Sequence, residues 1–409
     1  MTATESLAAV MWRRSARQFF ALFVLAVAVT QAHLFYSRSL ANGGEAWMAG
    51  DWFINYAGGF VRRGLFGELF LKTGASGATG LWTLFWLQAA LYAAVLAYLV
   101  AVLYRCRFSW SSIALVCSPA GIAFIGWDIN GGFRKELLVF LTLLILALTR
   151  WTAGRLPAVA GTVLALAVYT IAVFSWEPAT LLLPAVAYLL LSRPASGLVV
   201  FRRSAFALFA AVSLLGGVLS MAYPGDPATA DLICQAVREH GFLGPSLCGD
   251  ADTGGGGIDA IGWTQARALG DVSASFPLYV GYLPLIALAF LPVVLSRWFK
   301  RNWGWAVAIT VAFLPMYLIV TDYGRWTHIL IVALTFCITA HEPDEVTSPL
   351  WNPMLTIIYV VLWGLPHHLT PDSTEFPWMG LVSTLVVSGI QWSAHLLGLP
   401  ADPGNVGVR

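Results

Sequence analysis

Long apolar runs separated by short polar connectors dominate this 409-residue chain. They fall near 19–37, 81–103, 110–127, 136–149, 158–175, 178–192, 204–223, 276–295, 303–320, 326–340, 351–366 and 378–397. A hydrocarbon core about 30 Å thick takes roughly 20 apolar residues of helix, at about 1.5 Å per residue. The pattern predicts an all-α polytopic transmembrane helical bundle of about 12 spans, roughly 10–13 because several runs are short. No connector is long enough to build a soluble core, so residues 1–409 read as a single integral membrane domain. Two connectors are long. Residues 37–80 contain an apolar piece at 65–71 that fits an interfacial helix. Residues 224–275 are polar and glycine-rich and fit a partly ordered loop over the membrane surface. No internal repeat is visible, which counts against transporters built from duplicated halves.

Composition agrees: 58% of residues are hydrophobic and 11% charged, against about 25% charged in a soluble domain. The net charge of +2 says little; the placement of the charges says more. With both termini cytoplasmic, inner segments hold fourteen Lys and Arg and outer segments nine, the sign the positive-inside rule requires. The first apolar run is long enough to span and lacks a clear small-residue cleavage site, so no cleavable signal peptide is expected. Inner basic residues sit in short connectors such as Tyr104-Arg105-Cys106-Arg107. Outer ones are embedded with acids in glycine- and aromatic-rich segments, as topological anchors alone need not be. No basic patch with interleaved aromatics marks a nucleic-acid surface.

Five outer segments carry candidate chemistry. In the first, Asp51 precedes Asn55, Tyr56, two glycines and the adjacent Arg62 and Arg63. A carboxylate facing a polar cavity can take a proton from a hydroxyl, and paired guanidiniums suit a phosphate. The competing reading is an interfacial anchor in which the arginines reach lipid headgroups. Glu45 and Glu68 are the other acids of this segment. The second segment runs from Asp128 through Arg134 and Lys135 to Glu136, and reads either as a binding mouth or as an internal ion pair closing a turn. Glu177, before Pro178, interrupts an apolar hairpin and needs a partner such as Arg134 or Arg325 if it is buried. Asp322 and Arg325 stand three apart and can neutralise each other. His367 and His368 are adjacent, poor spacing for one metal ion, and no zinc ligand set is present. Trp52, Trp127 and Trp326 flank these charges and could stack on sugars. Cys234 and Cys248 lie in the long outer loop, where an oxidising compartment permits a disulfide.

Phe60-Val61-Arg62-Arg63-Gly64-Leu65, Phe133-Arg134-Lys135-Glu136, Glu177-Pro178 and Asp322-Tyr323-Gly324-Arg325-Trp326 form a set. It resembles the bacterial polytopic glycosyltransferases of the C superfamily (GT-C), which use lipid-linked sugar donors. More loosely it is similar to O-antigen polymerases, whose Arg-x10-Gly pattern Arg63 to Gly74 and Arg238 to Gly249 fit. The resemblance implies a polyprenyl-phosphate or polyprenyl-diphosphate sugar, transferred to a glycan, lipid or protein acceptor on the outer face of the inner membrane. It implies Asp51 as catalytic base. Arg62, Arg63, Arg134, Lys135 and Arg325 become the phosphate ligands. Asn55, Tyr56, Asp128, Glu136, Glu177, Asp322 and His367 become substrate-orienting groups. No cofactor is required on this reading, and a divalent cation on the phosphate is compatible with it. A polymerase, a lipid-linked sugar flippase and a non-catalytic scaffold are the alternatives; transport would place polar residues through the midplane or on both faces.

Overall fold

A computed structural model of the chain describes residues 7–38, 40–105, 109–121, 124, 133–152, 154–192, 196–249, 256–263, 265–320, 322–340 and 343–367. Among these, all regular structure is helical. The helices are α1 (Leu7–Arg38), α2 (Leu65–Lys72), α3 (Gly77–Arg105), α4 (Trp110–Val116), α5 (Glu136–Trp151), α6 (Arg155–Ser175) and α7 (Leu183–Leu191). They continue as α8 (Val199–Ala222), α9 (Pro227–Glu239), α10 (Gln265–Val294), α11 (Arg297–Ile319), α12 (Tyr323–Thr339) and α13 (Pro353–Val361). Each of the first eleven apolar runs carries a helix; the twelfth, 378–397, lies outside the described residues.

Among the described residues four helices, α3, α6, α8 and α11, are long and apolar enough to cross a membrane. Others on apolar runs are too short for that by length, such as the 16-residue α5 and the nine-residue α7, which follows a 3-10 turn over 177–182. Pro178 and Pro184 explain that break, since proline lacks the N–H that would extend a continuous ladder. The long helices present apolar side chains outward: α8 exposes Leu208, Leu214, Leu215, Val218 and Met221. In contrast, every residue of α12 is buried. A helix apolar on all sides belongs in the middle, and α12 packs against α5, α7, α10 and α11.

At one end of the bundle the two long connectors fold together into a cap. Within the second connector residues 227–239 form α9, and α10 begins at Gln265. Asp226 starts α9 by accepting from the Thr229 N–H (2.7 Å), and Pro227 stands in its first turn. A carboxylate cap followed by proline is a sequence-legible start signal. The two connectors touch backbone to backbone. A Cβ on Gly50 would lie 2.0 Å from the Leu247 carbonyl oxygen, and one on Gly244 would lie 2.3 Å from that of Gly43. Helix α2 covers the end of α6, with the Phe66 N–H donating to Ser175 Oγ at 3.0 Å. Its Gly67, Phe70 and Leu71 are buried, while Leu69 stays exposed.

The disulfide between Cys234 and Cys248 ties α9 to the segment that lies on Gly50, with Cα atoms 5.6 Å apart. It closes a loop of 14 residues. Cross-linking of that span removes chain entropy from the unfolded state, about 3 kcal/mol. The Cys234→Ser/Cys248→Ser variant is expected to lose about that much stability. Limited proteolysis across residues 224–263 checks it; unchanged cleavage rates would mean the backbone contacts alone hold the cap.

Candidate functional site

The antiparallel run of the bundle brings the ends of α5, α6, α8 and α12 to the underside of the cap. Glu136 is the first residue of α5, where a carboxylate faces the positive end of the helix dipole. Arg325 stands in the first turn of α12 and grips Glu136 with both prongs: Nε to Oε1 at 3.0 Å and Nη2 to Oε2 at 2.7 Å. Both side chains are buried. Arg325 also reaches Asp322 Oδ2 at 3.4 Å, and His367 Nε2 approaches Asp322 Oδ1 at 3.4 Å. Burial alone pushes the Asp322 carboxyl up, but His367 and Arg325 outweigh it and hold it well below the usual carboxylate range.

Glu177, expected against Arg134 or Arg325, is taken instead by the arginine pair of the first connector. Arg63 binds it through Nε and Nη2, both at 2.7 Å, and Arg62 Nη1 lies at 3.3 Å. Arg62 further donates to the carbonyls of Pro224 (3.0 Å) and Ala260 (3.4 Å), linking bundle and cap. A carboxylate thus occupies the fork expected for a phosphate. The pairing is long-range in sequence, and no local spacing announces it.

Lys135 is completely buried; its ammonium donates to the Arg63 carbonyl at 3.0 Å and lies 3.9 Å from Asp51 Oδ1. Asp51, only 3% exposed, has no hydrogen-bond partner on that oxygen. Arg134, also 3% exposed, makes no ion pair or side-chain hydrogen bond among the described residues, and its Nε is unpartnered. Its guanidinium rests on the Trp47 ring, 4.6 Å from the centroid. Asp51, Glu136 and Asp322 all pull on it electrostatically from beyond contact, while burial and Arg325 push its pKa down.

The backbone here is held out of its ordinary range. Arg63 (φ 69°) and Phe133 (φ 58°) are the described non-glycine residues with positive φ, a conformation that side chains with a Cβ resist. Each has its carbonyl captured. Lys135 takes that of Arg63, while Trp52 Nε1 (2.7 Å) and Gln88 Nε2 (2.9 Å) take that of Phe133. The Phe133 N–H donates to the Tyr92 hydroxyl at 3.2 Å. Trp52 is therefore a buried support and not a sugar-stacking platform, and Trp326 is likewise buried. Trp127, Asp128 and His368 lie outside the described residues.

Asn55 uses its amide on its own loop, Nδ2 donating to Phe53 O (3.0 Å) and Oδ1 accepting from Ala57 N (2.8 Å). The Tyr56 N–H donates to Glu68 Oε2 at 3.1 Å, and its ring stacks on Phe60. Both shape the first connector. Trp47 and Gln88 escaped the sequence reading. Gln88 could have been found, because a carboxamide in the middle of an apolar run needs a polar partner. Trp47 could not, because its role depends on the loop that carries Arg134. Among the described residues no three His, Cys, Asp or Glu side chains gather as metal ligands would.

Burial, partly offset by Asp51, pulls the Lys135 ammonium from 10.5 down to about 8. The folded protein releases that proton near pH 8, the unfolded chain only near 10.5, so between them the unfolded state binds more protons and stability rises with pH. Wild type is expected to gain stability across that window, and Lys135→Met to lose the gain. Denaturant titrations at several pH values check it; parallel profiles for the two proteins would exclude Lys135 as the source.

No protein-family model matches the chain, and neither a curated protein nor a solved structure matches it.

Proposed function

We propose that the protein is a membrane glycosyltransferase with a GT-C-like bundle of about 12 spans. It moves a sugar from a polyprenyl-(di)phosphate donor to an envelope glycan, lipid or protein acceptor. The cap faces the outer side of the bacterial inner membrane, and both termini are cytoplasmic. The observation that carries this reading is a pair of complementary buried groups: Asp51 Oδ1, which has no hydrogen-bond donor and only the Lys135 ammonium at 3.9 Å, and Arg134, which among the described residues pairs with no carboxylate and whose Nε has no hydrogen-bond partner. Leaving such groups unsatisfied costs several kcal/mol, on the order of a large share of a domain's stability. A ligand with a hydroxyl for one and a phosphate for the other satisfies both.

Asp51 takes the proton of the acceptor hydroxyl as the acceptor oxygen bonds to the sugar's anomeric carbon. The bond from that carbon to the phosphate oxygen breaks, and its electron pair stays on the departing polyprenyl phosphate. One negative charge thereby leaves Asp51 and one appears on the phosphate, so the total charge of the site does not change. Lys135, 3.9 Å from Asp51, loses its carboxylate when Asp51 is protonated and is free to serve the new charge. Arg62, Arg63 and Arg325 hold Glu177, Glu136 and Asp322 in place and thus shape the site, leaving Arg134 as the primary phosphate ligand.

The test is transfer from a panel of radiolabelled polyprenyl-phosphate and polyprenyl-diphosphate sugars by purified wild type, Asp51→Asn and Arg134→Ala. Turnover by wild type that collapses in both folded variants is expected. A folded wild type that binds these lipids but turns none over sinks the transferase reading and leaves transport as the better one.

A further inference from the structure

At the end of the bundle away from the cap, the helices α5 to α8 bring charges of one sign. Between Glu136 and Asp226 the chain has a single acid, Glu177, which Arg62 and Arg63 hold at the cap. The same stretch has Arg150, Arg155, Arg193, Arg202 and Arg203. Arg193 lies outside the described residues. Arg150 stands in the last turn of α5, Arg155 opens α6, and Arg202 and Arg203 stand near the start of α8. The opposite ends of α6 and α8 meet the first connector: Ser175 accepts from Phe66, and the Tyr223 carbonyl accepts from Arg62.

Arg202 differs from its neighbours. It shares the buried face of α8 with Ala205, Phe209 and Ser213, and the last two meet Tyr169 of α6. It is 4% exposed, makes no hydrogen bond or ion pair among the described residues, and its Nη1 is buried without a partner. A snorkelling arginine keeps its head in the headgroup layer; this one is turned inward between helices. α8 packs on α6 and α7, and neither contains an acid. A lone cation is doubly unfavourable there. Burial without a counter-ion is costly, and the opening turn of a helix repels positive charge. Leu198 at the N-cap gives the first N–H groups of α8 no side-chain acceptor either. Arg155 adds a second guanidinium at the rim, packed on Gly197, whose Cβ would lie 2.1 Å from its Nη2.

We propose that this end of the bundle binds an anionic phospholipid, its phosphate seated on Arg202 between the starts of α6 and α8. The phosphate presents two oxygens to the guanidinium fork. Exposed apolar side chains continue from the site along both helices, Leu156, Val163 and Leu164 on α6 and Leu208, Leu214 and Leu215 on α8. Both helices are long and apolar enough to cross a membrane. Acyl chains lie along that surface, which a free phosphate would leave bare. Basic pockets between spanning helices suit such headgroups. The site depends neither on the transferase reading nor on which side of the membrane this end faces.

Native mass spectrometry and thermal unfolding of the delipidated full chain in detergent test it, with phosphatidylglycerol, phosphatidylcholine and inorganic phosphate as probes. Wild type is expected to hold one phosphatidylglycerol about tenfold more tightly than phosphatidylcholine, and to unfold at a higher temperature with it. Arg202→Met removes a buried charge that has no counter-ion and keeps most of the side chain's length. It is expected to fold, to unfold no lower than delipidated wild type, and to lose both responses. Arg203→Gln removes an exposed charge of the same sign and is expected to keep them. Equal losses in the two variants would mean a diffuse attraction to the basic end and overturn the seated site. Phosphatidylcholine held as tightly as phosphatidylglycerol overturns the anionic headgroup. Inorganic phosphate that gives the full stabilisation of phosphatidylglycerol overturns the lipid. An Arg202→Met chain that fails to fold, or unfolds below delipidated wild type, makes the guanidinium part of the lipid-free core and overturns the proposal as well.

Discussion

Replacing Arg325 by alanine is expected to destabilise the protein by about 3–5 kcal/mol, the largest loss among single side chains beneath the cap. The magnitude follows from what remains behind. Glu136 is left in a place where it is 1% exposed, with both oxygens stripped of the donors at 3.0 and 2.7 Å. Asp322 loses its second partner in the same step. A broken buried pair costs far more than the pair contributes relative to apolar residues, because the survivor cannot be rehydrated. The double variant Arg325→Met/Glu136→Leu is therefore expected to recover most of the loss in stability. Thermal unfolding of the two variants and wild type in one detergent checks the sign. If the double variant proves less stable than Arg325→Ala, the loss came from packing and not from an orphaned charge.

The second large effect concerns turnover. Asp51→Asn is expected to lower kcat by about 10²–10⁴, the range that a positioned general base supplies. Donor KM should change little, because in the proposed mechanism Arg134, not Asp51, holds the phosphate. Asparagine keeps the shape of the side chain and removes only its basicity, so the fold should persist. The remaining consequence is that Lys135 faces an amide at 3.9 Å in place of a carboxylate, and its pKa falls further. A variant that keeps wild-type kcat would remove Asp51 from the chemistry, whatever it did to affinity. One in which KM rises and kcat holds would make it a binding group.

Much of the helical class was legible from hydrophobic periodicity alone. Apolar runs fix where helices form because a bilayer or a buried core leaves backbone groups no other partner than the helix itself. What periodicity did not reveal was the division among those helices. Residues 326–340 and 204–223 are similar as strings, yet α12 is buried on every side and α8 is largely exposed. Neighbours decide that, and neighbours are a property of the packed bundle. The cap shows the same division. Asp226-Pro227 signals the start of α9, whereas the fit of Gly50 to Leu247 is a contact across nearly two hundred residues.

The candidate site divides along the same line. From the residues alone one can list the charged groups that a membrane protein does not bury without cause: Asp51, Arg62, Arg63, Arg134, Lys135, Glu136, Glu177, Asp322 and Arg325. The cost of desolvating an ion is intrinsic to the side chain and independent of its partner. Which cation meets which carboxylate is another matter. Coulomb energy and hydrogen-bond geometry vary over a few ångströms, and such distances exist only once the chain is packed. The tertiary structure places Arg62 and Arg63 on Glu177, sets Arg325 on Glu136, and leaves Arg134 resting on Trp47 with no carboxylate in contact among the described residues. The inventory of charges is thus a property of the sequence; their pairing is a property of the fold.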